Sequence, residues 1–261
     1  MLKDSKAQIT HKQTWNDYVL FSISSPQMAS QAQPGQFIMV RISQEHNPLL
    51  RRPFSIFYTD KTNIDIFFQK VGTGTHLLGK KEPEEGLDII GPLGKGFTIE
   101  EGNRGKPVAL VGGGRGIAPL HFLAHRLRAQ GIEAKFYYGG KSLTDLPLKT
   151  RIAENNFAVS CSTEDGSYGF KGLITEVFES ELDDLRPFLV YACGPDAMLQ
   201  KIAQTANERN IPTELSLESI MGCGFGACWG CVKKIKKEGE ISWTKICEEG
   251  PVLASDKIVW E

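Results

Sequence analysis

Residues 108–120 read VALVGGGRGIAPL. A short apolar run, Val108–Val111, enters a glycine loop and leaves it in a segment of helical period. In Ile117–Gln130, Leu120, Leu123, Ala124 and Leu127 fall on one face, and Gly131 supplies the stop. Strand, glycine loop and helix in that order predict an α/β unit. Glycines let a backbone approach a diphosphate, and the free amides at a helix start favour its negative charge. The loop departs from G-x-G-x-x-G because Pro119 takes the register of a third glycine, and proline is tolerated in a first helical turn. Taken alone, the same loop also reads as a tight strand–helix turn with no ligand.

Downstream, Ala134–Tyr138, Phe157–Ser160 and Phe188–Ala192 read as strands, and Leu173–Ser180 and Asp196–Arg209 as helices. This alternation predicts a Rossmann-like α/β domain. Cys193-Gly194-Pro195 ends a strand, and strand C-termini line the ligand crevice of such sheets. The turn is therefore expected to share a site with Gly112–Gly116, although Cys193 by itself reads as a small buried core residue.

Upstream the pattern differs. Tyr18–Ser24, Gln36–Ser43, Phe54–Thr59, Asn63–Lys70 and Leu87–Ile90 are short β-branched and aromatic runs, separated by Pro34-Gly35, Asn47-Pro48 and Gly91-Pro92. Regular short strands predict an antiparallel β-barrel. The change comes near Glu101–Gly105. Within the barrel, Arg52-Pro53-Phe54-Ser55 and Gly72-Thr73-Gly74-Thr75 set a guanidinium, hydroxyls and glycine amides together, a kit for a pyrophosphate. Ser55 could hydrogen-bond a flavin ring, and Phe54, Phe57, Phe67 and Phe68 could pack on an isoalloxazine or adenine; aromatic residues in strands are otherwise core.

Residues 222–231 read GCGFGACWGC. Cys223, Cys228 and Cys231 are spaced C-x4-C-x2-C and Cys247 follows sixteen residues later, which is plant-type ligand spacing for a [2Fe–2S] cluster. Gly222, Gly224, Gly226 and Gly230 permit a loop that wraps the cluster and turns amides toward its sulfurs. Structural zinc is the competing reading, but zinc sites use two compact ligand pairs, and here one ligand is remote. Three units are expected: a barrel over 1–101, an α/β domain over 102–211 and a cluster module over 212–261.

With 261 residues and a net charge of −1, the chain lacks the basic stripe of a nucleic-acid binder. Lys233, Lys234, Lys236 and Lys237 read as a solvated turn. No stretch approaches a membrane span, and the polar N-terminus has no apolar leader core; a cytoplasmic protein with reduced thiols is expected. Six cysteines, four of them clustered, then read as metal ligands rather than disulfides. Of His11, His46, His76, His121 and His125, only His121 and His125 share a helical face, which reads as surface or packing. No acid–base or hydrolase constellation is present, so no catalytic residue is assigned.

A nicotinamide exchanges two electrons as a hydride, a [2Fe–2S] centre takes one, and a flavin converts between them. In combination, RRPFSI, GTGT and GPLGKGF resemble the FAD domain of the ferredoxin reductase superfamily, and LVGGGRGIAPL and YACGPDAML resemble its pyridine-nucleotide domain. SLESIMGCGFGACWGCVKK, KICEEGPVL and EDGSYG narrow the resemblance, which covers nearly the whole chain, to the electron-transfer subunits of class 1B, NAD-dependent, dihydroorotate dehydrogenase.

The resemblance implies that FAD contacts Arg52, Pro53, Phe54 and Ser55, then Phe67, Phe68 and Gln69, then Gly74 and Thr75. NAD would lie over Gly113, Gly114, Gly116 and Ile117, with Cys193, Gly194 and Pro195 near the nicotinamide. Cys223, Cys228, Cys231 and Cys247 would hold the cluster. It further implies a partner: an FMN-containing dihydroorotate dehydrogenase catalytic subunit, in a heterotetramer of two plus two. Electrons would run from FMN through the cluster and FAD to NAD+, in pyrimidine biosynthesis. Arg115 departs from the family's usual small or aliphatic residue, and Gln69 from a common basic one, which leaves more of the FAD diphosphate charge to Arg52. Glu164 and Asp165 would repel a 2′-phosphate and favour NAD over NADP, against Lys141 near another strand end.

Competing readings are a flavin–cluster subunit of a ferredoxin:NADP oxidoreductase or of a hydrogenase diaphorase, and a zinc-stabilised interaction module. Four cysteines favour the dihydroorotate system over the first, where one ligand is often an aspartate. Flavin bands with added cluster absorbance are expected from the purified protein; a colourless protein with stoichiometric zinc would overturn the redox reading.

Overall fold

The computed structural model describes residues 1–43, 45, 47–100 and 105–260. The expected boundary at 101–102 and His46 lie outside them. The N-terminal unit is a closed barrel of β1 (Leu2–Trp15), β2 (Tyr18–Ser24), β3 (Phe37–Arg41), β4 (Arg52–Thr59), β5 (Asn63–Gln69) and β6 (Gly86–Leu93). Strand order is β1-β2-β5-β4-β3-β6 with every pairing antiparallel. Short helices α1 (Pro26–Ala29) and α2 (Thr73–Gly79) fill its connections.

β2 shows why the barrel sits where it does. Its alternation sends Val19, Phe21 and Ile23 into the barrel core, and Tyr18 and Leu20 outward onto the next domain. All five are nearly fully buried, so β2 lacks the polar face of a solvated strand. β1 is the opposite case and leaves no strand signal in the sequence. Only Ala7 and Ile9 along it are buried, and its polar residues carry no strand-like apolar pattern. Its backbone nevertheless pairs with β2 and β6 and removes the barrel's edges.

The second unit is an α/β sheet. It contains β7 (Pro107–Gly113), α3 (Ile117–Ala129), β8 (Glu133–Gly140), α4 (Lys149–Glu154), β9 (Ala158–Thr163), β10 (Phe170–Lys171), α5 (Ile174–Leu185), β11 (Val190–Cys193), α6 (Asp196–Asn207) and β12 (Thr213–Ser216). The sheet runs β10-β9-β8-β7-β11-β12 in parallel. Leaving aside the two-residue β10, the five main strands lie in the order third, second, first, fourth, fifth. The order reverses between β7 and β11, the position where ligands bind in such sheets.

The last unit holds β13 (Val232–Lys237), β14 (Glu240–Lys245), α7 (Ile246–Glu249) and β15 (Val252–Ala254). β13 and β14 form a separate hairpin. The lysine run is therefore a strand and not a turn. Lysines on both faces hide the alternation, while Lys233 pairs with Asp196 at 2.8 Å and Lys234 lies over the Trp243 ring. β15 pairs antiparallel with β12 and completes the α/β sheet, so that sheet draws two strands from the 212–261 segment. Among the described residues, no helix is long and apolar enough to cross a membrane.

His121 sits in the seam between barrel and α/β domain. Its ring stacks on Phe57 at 4.0 Å and 11°. Nδ1 lies 3.4 Å from the Phe57 carbonyl, and Asn155 Nδ2 approaches Nε2 at 3.4 Å, a pattern that suits the neutral ring. Burial, aided by His125, holds His121 down at about 3. The unfolded chain takes up this proton below about pH 6.5, whereas the folded chain resists until about 3. Stability is expected to fall as pH drops through that window, by at most ~1.4 kcal/mol per pH unit from this group. His121→Phe should flatten that part of the profile, measured as chemical denaturation of wild type and variant between pH 7 and 4.5.

Candidate functional site

Parallel strands bring their C-terminal ends to one edge of the sheet. In register, Gly112 of β7 stands beside Cys193 of β11, and Cys193 beside Ser216 of β12; Gly113 stands beside Gly139 of β8. The turn after β7 must then pass close to β11. A Cβ on Gly116 would collide with the Cys193 carbonyl oxygen, so only glycine admits this approach.

Two cavities open along the edge. One, of about 280 Å³, lies between barrel and sheet. Pro53, Phe54 and Ser55 of β4, and Phe67, Phe68 and Gln69 of β5, line it from the barrel, with Thr75 from α2. Gly116 and Cys193 close it from the sheet. The other, of about 700 Å³, is lined by Gly113, Gly114, Gly194 and Pro195. Most of the residues expected around FAD and NAD are thus gathered at one place from segments far apart in sequence.

Three of those expected residues line neither cavity. Ile117 is fully buried in the core under the sheet. Arg52 folds back, its Nη1 donating to the Leu50 carbonyl at 2.7 Å. Gly74 lies against Arg52, whose Nε would be 3.4 Å from an added Cβ. Phe57 is likewise absent from both linings, because it stacks under His121 in the seam. Arg51 gives no help at the cavity: it is bonded to Asp88 at 2.7 Å through both its side-chain oxygen and its carbonyl. Asp88 is buried, so that pair anchors the start of β4 to β6.

Several lining residues escaped the sequence reading. Gly139 and Gly140 end β8, and Ser216 ends β12 with Glu218 just beyond; the strand-end rule could have found both sets. Tyr18 could not be found that way. It stacks on Phe67 at 5.4 Å and 7°, and its hydroxyl reaches Asp145 Oδ1 at 3.1 Å, joining barrel to sheet beside the larger cavity. Of the acidic pair, Glu164 lines that cavity. Asp165 instead binds the Ser167 amide and hydroxyl at 2.9 and 2.6 Å, a turn contact.

Cys193 is buried and its thiol is pushed up to about 12, by burial first and by Glu218 next, against a Ser216 hydrogen bond and Arg115. It therefore offers a neutral, protonated thiol at the cavity floor over the ordinary pH range.

The four clustered cysteines meet across the module. Cys223 and Cys228 contact one another through their thiols, as do Cys231 and Cys247. At Cys223 burial opposes the thiolate, but the amides of Phe225, Cys228 and Ala227, with the Cys228 thiol, outweigh it and bring the group to about 7. Gly226 N donates to Cys247 Sγ at 3.1 Å and Cys247 N to Cys231 Sγ at 3.4 Å. Gly226 has φ +88 and its Cβ would strike the Glu248 carboxylate, so glycine is what frees that amide to point at sulfur. Among the described residues, no three His, Cys, Asp or Glu side chains form a single-ion site. Two thiol pairs served by amide donors suit the two irons of a [2Fe–2S] cluster.

Residues 218–259 match the family model described as the iron-sulfur cluster binding domain of dihydroorotate dehydrogenase B, and residues 110–204 match the oxidoreductase NAD-binding domain. The chain is similar to the protein named dihydroorotate dehydrogenase B (NAD(+)), electron transfer subunit, of Desulforamulus reducens. Identity is 36% over 260 residues, covering 99% of this chain and 98% of that protein. The protein of the same name from Bacillus caldolyticus is 38% identical over 236 residues, 87% of each chain. Among solved structures, an NADH-dependent reduced ferredoxin-NADP oxidoreductase superposes with a TM-score of 0.85 at 29% identity, over 98% of this chain and 91% of that one.

Cys228→Ser should lose cluster iron while the barrel and sheet keep flavin-dependent NADH-to-dye activity. Iron content, the cluster's visible absorbance and dye reduction measure the two halves separately, and equal loss of both would show that they are not independent.

Proposed function

The chain belongs to the family of dihydroorotate dehydrogenase B electron transfer subunits, and from that premise we propose that it links NAD to the catalytic subunit of a dihydroorotate-oxidising enzyme in pyrimidine biosynthesis. The division into 1–101, 102–211 and 212–261 is retained as a division by site, although β12 and β15 extend the α/β sheet. When bound, FAD supplies interconversion of a hydride with single electrons, and the cluster carries those electrons one at a time.

The residues suit these guests. Pro53, Phe54, Phe67 and Phe68 give the smaller cavity an apolar wall for a flavin ring, with Ser55 and Gln69 as polar contacts. Arg52, with Gly74 and Thr75 beside it, is assigned to the FAD diphosphate. Gly113, Gly114 and Gly116, with the amide of Ile117 at the start of α3, are assigned to the NAD diphosphate. Cys193, Gly194 and Pro195 lie where the two cavities adjoin, the position for a nicotinamide. Cys223, Cys228, Cys231 and Cys247 are assigned to the cluster.

One observation carries the reading. Met221 lines the smaller cavity, and Cys223 is two residues on, a span of at most ~7 Å. The same loop exposes Ile220, Phe225 and Trp229 at 87%, 45% and 60%. The cysteine loop thus borders the flavin-side cavity and presents large apolar side chains to solvent, an arrangement suited to a partner. We assign that face to an FMN-containing catalytic subunit in a two-plus-two heterotetramer.

The 29% identical oxidoreductase structure supports a second reading, a subunit of a ferredoxin–NADP system. Anaerobic purification from the native cell separates the two. An FMN protein that oxidises dihydroorotate is expected in the complex; a ferredoxin- or hydrogen-linked partner would overturn the first reading. Glu164 is assigned to the discrimination against a 2′-phosphate. Glu164→Gln should cut the NADH-over-NADPH preference in kcat/KM about tenfold, ~1.4 kcal/mol, and an unchanged ratio would remove that role.

A further inference from the structure

Gln69, Arg115 and Glu218 line both cavities. Two of the three are ion-paired: Arg115 Nη2 stands 3.1 Å from Glu218 Oε2. Arg115 is the middle residue of the turn Gly114–Gly116, at the place assigned to a dinucleotide diphosphate. Glu218 lies two residues beyond β12, on the way to the cluster loop. Cys193, which faces the smaller cavity, feels both charges, while its neighbours Gly194 and Pro195 face the larger one. The pair, with Gln69, stands at the border that the two cavities share.

We propose that the Arg115–Glu218 ion pair is a gate between the dinucleotide and flavin cavities, opened when the dinucleotide's diphosphate takes Arg115 away from Glu218. The proposal rests on the dinucleotide reading above and adds to it a positioning pair. Three properties support it. Both side chains are about half exposed, at 48% and 54%, so the pair is weakly held and its loss costs little. A diphosphate offers Arg115 several charged oxygens against one carboxylate, in a forked geometry that arginine favours. Of the cations lining the larger cavity, Arg115, Lys141 and Lys201, Arg115 alone also lines the smaller one.

The gate makes the two partners act with opposite sign. Glu218 competes with the ligand for Arg115, so Glu218→Gln should tighten binding. Arg115 holds the ligand once released, so Arg115→Ile should weaken it. With the arginine gone the competitor has nothing to compete for, and Arg115→Ile/Glu218→Gln should match Arg115→Ile alone. A pair that served only as a structural staple would give effects of the same sign.

The test is equilibrium binding of ADP-ribose to the flavin-loaded protein at low and moderate salt, by calorimetry. ADP-ribose carries the diphosphate and lacks the nicotinamide, so the readout is independent of turnover. Glu218→Gln should bind it up to about fivefold more tightly, ~1 kcal/mol. Arg115→Ile should bind it at least about tenfold more weakly, and Arg115→Lys, which keeps the charge without the fork, should fall between. Raising salt should shrink all these differences. Flavin content and thermal midpoint check that each variant is folded. Unchanged or weaker binding by Glu218→Gln, or unchanged binding by Arg115→Ile, would overturn the gate while leaving the dinucleotide site intact. Wild-type protein that binds neither ADP-ribose nor NADH would overturn the dinucleotide assignment, and the gate with it.

Discussion

The segment Gly250-Pro251 is hydrogen-bonded through its backbone to two other units at once. Gly250 accepts from Lys95 N of the barrel at 2.5 Å, and Pro251 accepts from Leu217 N beyond β12 at 2.9 Å. Val252 then pairs with Ser216 in the sheet. Backbone hydrogen bonds are directional, so this junction fixes orientation as well as contact. Cys247 lies four residues before Pro251, which itself lines the smaller cavity. The last cysteine is thereby tied to the cavity wall, and a module with little core of its own is held to both larger units. On the other side of the cysteine loop, a Cβ on Gly224 would meet Met39 of β3, so the loop also rests on the barrel.

Two groups buried where barrel and sheet meet, His121 and Tyr18, are held neutral, whereas the cysteine loop turns its donors toward sulfur. His121 is kept unprotonated by burial between Phe57 and Asn155, and Tyr18 has its hydroxyl pushed above the ordinary range, chiefly by burial and then by Asp145. An ionised group in either place would have to be desolvated with little compensation. The cysteine loop shows the opposite arrangement, with amides aimed at sulfur and outweighing burial at Cys223. The Arg115–Glu218 pair lies between these regimes: charged, half exposed and shared by both cavities.

Legibility in the sequence followed the strength of local pattern. β2 is legible to both ends, because both of its faces are buried and it opens on the continuous apolar run Tyr18–Phe21. The glycine loop and its helix were read because strand, turn and helix follow one another within a few residues. β1 was not read, because a strand that contributes only Ala7 and Ile9 to the core leaves little periodicity. The lysine strand β13 has the local pattern of a turn for a related reason: a solvated hairpin is specified by its partner strand and not by a buried face. At the site, the cysteine spacing is legible and the strand-end rule reaches Gly139, Gly140, Ser216 and Glu218, while nothing local marks Tyr18 or Asp145.

Sequence by itself determined the unit types and the alternation of strand and helix in the α/β unit, and it supplied the cysteine spacing on which the cluster assignment rests, since these depend on residue types along the chain. Only the tertiary structure decided that Ile117 faces the core, that Arg51 is committed to Asp88, that Phe57 belongs to a domain seam, and that Arg115 meets Glu218. The physical reason is the same in each case. A side chain's role depends on which partner arrives from a distant segment, and the spatial order of strands brings together residues that local periodicity cannot connect.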